Sequence, residues 1–152
     1  MARYVTTVRT QQAAEEAFAY MADLRNFAEW DPGVSKVVQV KGDGAGAGTE
    51  FDVTASGATL RYVTTTYDPQ NSSSGGAGGE LVVVGTSRMF TSTDKVSVIS
   101  EGDSTMVRYE AVLELNGVLR VVDPLLGLAF GRIGDRAAAG LRRVLAGEDV
   151  PV

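Results

Sequence analysis

The chain contains neither histidine nor cysteine, so any proton chemistry falls to carboxylates, tyrosines, lysines and arginines. Type and spacing single out Tyr62, Arg88, Asp94 and Tyr109. Between Arg88 and Val98, strand alternation puts Arg88, Phe90, Ser92, Asp94, Val96 and Val98 on one face. An arginine and an aspartate at the mouth of an apolar pocket can orient a polar ligand group. In the competing reading both lie at strand ends in solvent. Tyr62 and Tyr109 occupy runs of apolar alternation, where they serve either as core residues with a polar tip or as ligand anchors.

The same composition closes other routes. Without histidine there is no Ser-His-Asp triad and no His general base, and most zinc and non-haem iron sites are excluded. Without cysteine there is no thiol nucleophile and no disulfide. No metal and no cofactor are expected. The glycine runs match neither GxxxxGK[ST] nor a strand-GxGxxG-helix arrangement. A net charge of −5 argues against nucleic acid, which needs a positive footprint. No stretch approaches the ~18 apolar residues of a membrane span. The N-terminus MARYVTTVRT lacks a signal-peptide apolar region, so a cytoplasmic protein is expected.

The elements that must position these residues follow from periodicity. Tyr4 to Thr10 reads as a strand, and Ala13 to Ala22 as a helix with Ala14, Ala17, Phe18 and Met21 on one face. Asp23 to Glu29 makes a short second helix or turn, and Asp31-Pro32-Gly33 reverses the chain. Strands follow at Val34 to Lys41, Thr49 to Ala55, Leu60 to Tyr67, Glu80 to Ser87, Met89 to Ser100 and Thr105 to Leu115. GDGAGAG is read as a glycine turn, and the Ser/Gly stretch from Asn71 to Gly79 as a hairpin tip. In Leu60 to Tyr67, inward parity falls on Leu60, Tyr62, Thr64 and Thr66; a slip of one residue would invert the set.

A long helix is predicted from Asp123 to Ala146, with Pro124 at its first position and Gly147 as its stop. Its apolar stripe is Leu126, Phe130, Ile133, Ala137, Leu141 and Val144, while Arg132, Arg136, Arg142 and Arg143 are read as its wet side. Gly127, Gly131, Gly134 and Gly140 cost stability in a helix, about 1 kcal/mol each relative to Ala. They leave either room for a ligand or a close helix–sheet approach.

One strand, two short helices, a meander of strands and a final long helix define an α+β helix-grip fold. A curved antiparallel sheet of about six to seven strands wraps the C-terminal helix, within a single domain over residues 1–152. Such a sheet leaves a space beside the helix. AAEEAFAYMADLRNFAEWDPGV, GAGTEFDV, LRYVTTTYDP and GVLRVVDPLLGLAFGRIGDRAAAGLRRVL together resemble the START/Bet v 1-like (SRPBCC) superfamily, in its polyketide cyclase/dehydrase-like branch. The resemblance spans nearly the whole chain and is most specific in ADLRNFAEWDPGV.

The expected function is binding of a hydrophobic small molecule (a lipid, isoprenoid or polyketide-like compound) between sheet and helix. The expected ligand-binding residues are Trp30, Phe51, Val53, Tyr62, Arg88, Phe90, Tyr109, Phe130 and Ile133. Trp30, the single tryptophan, is read either as core or as part of the pocket entrance. The alternative implied by the resemblance is a cyclase, aromatase or dehydratase. Its base would be Asp94, or a tyrosine assisted by Arg88, in place of histidine. Alternating charges on the outer sheet face argue for a monomer or at most a weak homodimer.

Overall fold

In the computed structural model the described residues are 2–69, 78–116 and 123–150, without the side chains of 123–128 and 148–149. The elements run β1 (Ala2–Thr10), α1 (Ala14–Ala22), a 3-10 turn at Leu24–Asn26, α2 (Phe27–Trp30), β2 (Val34–Lys41) and β3 (Glu50–Ala55). Then come β4 (Ala58–Asp68), β5 (Gly78–Thr86), β6 (Phe90–Glu101), β7 (Ser104–Leu115), α3 (Asp123–Leu145) and a two-residue β8 (Glu148–Asp149). All strands join one curved antiparallel sheet in the order β2-β3-β4-β5-β6-β7-β1-β8. Each strand from β2 to β6 pairs with its successor, and β1 returns to pair with β7, from Ala2 opposite Leu113 to Thr10 opposite Thr105. Sequence spacing does not reveal β8, which adds to β1 through Val8 and Arg9.

Alternation decides which face of each strand is buried. Val107, Tyr109 and Ala111 of β7 are buried, and so are Ser92, Asp94, Val96 and Val98 of β6. In β4 the expected parity holds for Leu60, Tyr62 and Thr64. A bulge between Thr64 and Thr66 then shifts the register against β5. Thr66 turns outward, and Tyr67 packs on Phe18 of α1 with ring centroids 5.6 Å apart. The edge strand β2 carries bulges at both ends, a common way of spoiling an exposed edge for pairing with another chain.

The glycines of α3 do two different things. A Cβ on Gly140 would fall on the Trp30 carbonyl, and one on Gly134 would fall on the Tyr4 ring. Both bring backbone and rings into direct contact, α2 at one position and β1 at the other. A Cβ on Gly131 would meet nothing within 4 Å, so here the helix is not pressed against a neighbour. Leu141 and Leu145 at the far end are fully buried against the sheet. The side chain of Leu126, predicted in the apolar stripe, lies outside the described residues, as does most of the Ser/Gly stretch at 71–77.

The helix terminus corrects one expectation. The left-handed residue is Ala146, with φ of 49°, not Gly147. The amide of Gly147 donates to the Arg142 carbonyl at 2.9 Å and that of Ala146 to the Arg143 carbonyl at 3.3 Å. This is a Schellman pattern with alanine at the strained position. Gly147 is required for another reason: a Cβ there would press on the Arg9 carbonyl of β1. Thr10 locks the same junction, its hydroxyl donating to the Leu145 carbonyl at 2.5 Å. Among the described residues no helix is long and apolar enough to cross a membrane.

Candidate functional site

The Leu24–Val34 segment divides the space under the sheet in two. Phe27 and Trp30 stack with centroids 4.7 Å apart, and Trp30 meets Tyr109 edge-on at 5.2 Å. On the α1 side of this aromatic wall the grip is packed, leaving a void of only about 10 Å³, enough for one water at most. On the other side lies a cavity of about 270 Å³. It is bounded by β3, β4, β6, β7, the α2–β2 turn and the Phe130–Ile133 turn of α3. Among its lining residues, Ser56 and Ile133 are exposed to solvent and mark the mouth.

Six of the nine residues expected from the sequence line this cavity: Val53, Tyr62, Phe90, Tyr109, Phe130 and Ile133. Three do not. Phe51 is fully buried in the core beneath it. Trp30 is also core, 4% exposed, and touches the small void rather than the cavity. Arg88 is exposed in the turn between β5 and β6 and lines neither space. Strand alternation cannot extend to it, because β6 begins only at Phe90. The expected Arg88–Asp94 pair is therefore not formed.

Asp94 instead sits at the centre of a polar line that crosses the sheet. Gly85 of β5 lies opposite Tyr62 of β4 and Ser92 of β6. A Cβ there would collide with the Tyr62 ring. The bare backbone lets that ring lie over β5 and carry its hydroxyl toward Ser92 and Asp94. From the other side, Tyr109 is the diagonal neighbour of Asp94, whose direct partner on β7 is Ala111. The Tyr109 hydroxyl donates to Asp94 Oδ2 at 2.8 Å, and the Ser92 hydroxyl to Oδ1 at 2.7 Å.

Asp94 is 2% exposed. Burial pushes its carboxyl up to about 6, against the lowering effect of the Ser92 and Tyr109 hydroxyls, and the charge of Asp31 adds to the rise. Desolvation also holds the Tyr62 and Tyr109 hydroxyls well above the ordinary tyrosine range, so both stay protonated as donors.

Sequence reasoning missed Asp31, which it treated only as a turn residue. The turn is real: the Val34 amide donates to the Asp31 carbonyl at 3.0 Å, and the Gly33 amide to Asp31 Oδ1 at 2.8 Å. A Cβ on Gly33 would sit 3.2 Å from that carboxylate oxygen. Close approach, not a positive φ, thus explains the glycine. Asp31 is nevertheless 8% exposed and faces the cavity. Burial raises its carboxyl, opposed by the Gly33 amide. Asp-Pro-Gly signals the turn but carries no sign of where the carboxylate points. Ser56 was also missed. It opens a two-residue hairpin turn between β3 and β4 with φ of 50°, followed by Gly57 at 81°.

A curved sheet gripping a long C-terminal helix, with two short helices after the first strand and a cavity between, defines a START/Bet v 1-like protein. Residues 1–146 match the family described as polyketide cyclase / dehydrase and lipid transport, and the chain belongs to that family. The fold is shared with a START superfamily protein from Mycobacterium smegmatis, at TM-score 0.68 and 17% identity over 96% of this chain and 98% of that one. It is also shared with a hypothetical protein from Helicobacter pylori, at TM-score 0.73 and 10% identity over 95% and 86% of the two chains. A major latex-like protein from Panax ginseng aligns at TM-score 0.56 and 9% identity over 89% and 97%. No curated protein matches the chain in sequence.

Proposed function

We propose that the chain binds a hydrophobic small molecule in the cavity beside α3. The observation that carries this reading is a space of about 270 Å³ with mostly apolar walls and a few polar groups gathered on one side. That is the usual form of a small-molecule site. Membership of a family described as covering lipid transport supports it. The test is native mass spectrometry of protein equilibrated with a total lipid extract, followed by solvent extraction of the adduct. Ala111 is buried and lines the cavity, so Ala111→Phe puts a ring into the space while Ser92, Asp94 and Tyr109 keep their own side chains. A discrete adduct on the wild type that is lost in Ala111→Phe supports the reading. No adduct, or one equally present in both, overturns it.

A second reading, a cyclase or dehydratase, is favoured by one observation. Asp94 is a buried carboxylate with a raised pKa at the cavity wall, as a general base near its working pH requires. Against it, both Asp94 oxygens already accept hydroxyl hydrogen bonds, and Arg88 is too far out to assist. Conversion of a poly-β-ketone mimic that disappears in Asp94→Asn would establish the enzyme. No conversion above the uncatalysed rate would dismiss it.

A further inference from the structure

The cavity contains two carboxylates and, among the described residues, no lysine or arginine lines it. Asp94 is fully engaged by Ser92 and Tyr109. Asp31 is not. Its Oδ1 accepts from the Gly33 amide, while Oδ2 has no hydrogen-bond or ion-pair partner among the described residues, although the residue is only 8% exposed. A carboxyl oxygen of a buried residue that lines a space of about 270 Å³ is thus left without a donor. The described arginines of α3, Arg132, Arg136, Arg142 and Arg143, do not reach this cavity.

The geometry points to a ligand with a basic nitrogen, an apolar amine whose ammonium group docks between Asp31 and Asp94 while its hydrocarbon part fills the cavity. This rests on the reading of the cavity as a hydrophobic ligand site and names the class of ligand. Burying a carboxylate without a compensating charge is costly, and a bound cation removes that cost. An ammonium group brings three donors, of which Asp31 Oδ2 can accept at least one. Phe27, Tyr62 and Tyr109 also line the cavity, and aromatic rings attract a desolvated cation. A carboxylate ligand would meet two like charges. A neutral alcohol would satisfy the hydrogen bond but leave the charge uncompensated.

The test is isothermal titration of the full chain at pH 7.5 with three matched probes: 2-naphthylmethylamine, 2-naphthylmethanol and 2-naphthoate. The amine is expected to bind at least tenfold more tightly than the alcohol, with 2-naphthoate weakest. In Asp31→Asn the amine-to-alcohol ratio is expected to shrink at least fivefold, and circular dichroism checks the fold. Asp94→Asn provides a second variant with the same expected direction. An alcohol that binds as well as the amine, or a ratio unmoved in both variants, overturns the amine inference and leaves the cavity reading standing. Tightest binding of 2-naphthoate also overturns it. Failure of all three probes to bind overturns both readings.

Discussion

The Tyr109 hydroxyl reaches from β7 to donate to Oδ2 of Asp94 on β6 across 2.8 Å. The two residues are diagonal neighbours on the inner face, because Asp94 pairs directly with Ala111. The bond has a definite electrostatic sense. It stabilises the ionised carboxylate, working against burial, which favours the neutral acid.

Removing that donor must therefore raise the pKa of Asp94 above its value of about 6. A hydrogen bond to a charged group is worth about 1.5–3 kcal/mol, which corresponds to roughly 1–2 pH units. In Tyr109→Phe, the carboxyl carbon of Asp94 followed by carbon-13 NMR is expected to titrate that much higher. An unchanged or lower midpoint would contradict the bond.

Burial of Asp94 also fixes how stability varies with pH. The folded-state pKa of about 6 lies above the ordinary aspartate value of 3.8, so between these values the folded chain holds the proton more tightly than the unfolded chain. This contribution therefore destabilises the fold as pH rises from about 4 to 6 and is constant above that. Over the full window it amounts to about 3 kcal/mol, at 1.36 kcal/mol per unit. Urea unfolding of wild type and Asp94→Asn at pH 4, 5, 6 and 7 checks this. The variant should gain stability relative to wild type across the window, and parallel profiles would refute the prediction.

The glycines of α3 predict opposite outcomes for the same substitution. Gly140→Ala places a methyl group on the Trp30 carbonyl, a backbone atom that cannot rotate away, and should cost about 3 kcal/mol. Gly131→Ala meets open space and should gain up to about 1 kcal/mol from helix propensity alone. Chemical denaturation of the two variants side by side separates these effects.

At the end of α3, Ala146 takes a left-handed conformation at φ of 49°, which costs a residue with a side chain about 1 kcal/mol or more. Ala146→Gly removes that strain at an exposed position and is expected to raise stability by about 1 kcal/mol. A thermal melting midpoint that falls would show that the Schellman pattern at Arg142 and Arg143 does not control this terminus.

Strand parity was the most legible part of this chain, since alternation is a local property that burial enforces. Val107, Tyr109 and Ala111, and likewise Ser92, Asp94 and Val96, face inward as the pattern predicts. The pattern failed where the backbone breaks its own period. Arg88 keeps the parity of Phe90 on paper but sits in a turn, and the bulge after Thr64 carries Thr66 outward. Asp31 was illegible for a different reason. Its sequence neighbours explain its turn completely, and its nearness to Asp94 arises only when the sheet curves around the space they share. Trp30 and Phe51 were drawn toward the cavity by size and apolarity, which do not distinguish a pocket wall from the packed core beside it.

The pairing of β1 with β7, from Ala2 opposite Leu113 to Thr10 opposite Thr105, has a consequence for how the chain is made. β1 has its partner about a hundred residues downstream, whereas β2 to β6 can zip as successive hairpins while the chain emerges. During translation β1 must wait unpaired until β7 clears the ribosome, and only then do α3 and β8 have a completed surface to dock on. Closing so long a loop late makes this the slow step of folding. The early strand is thus the segment most in need of protection from a nascent neighbour.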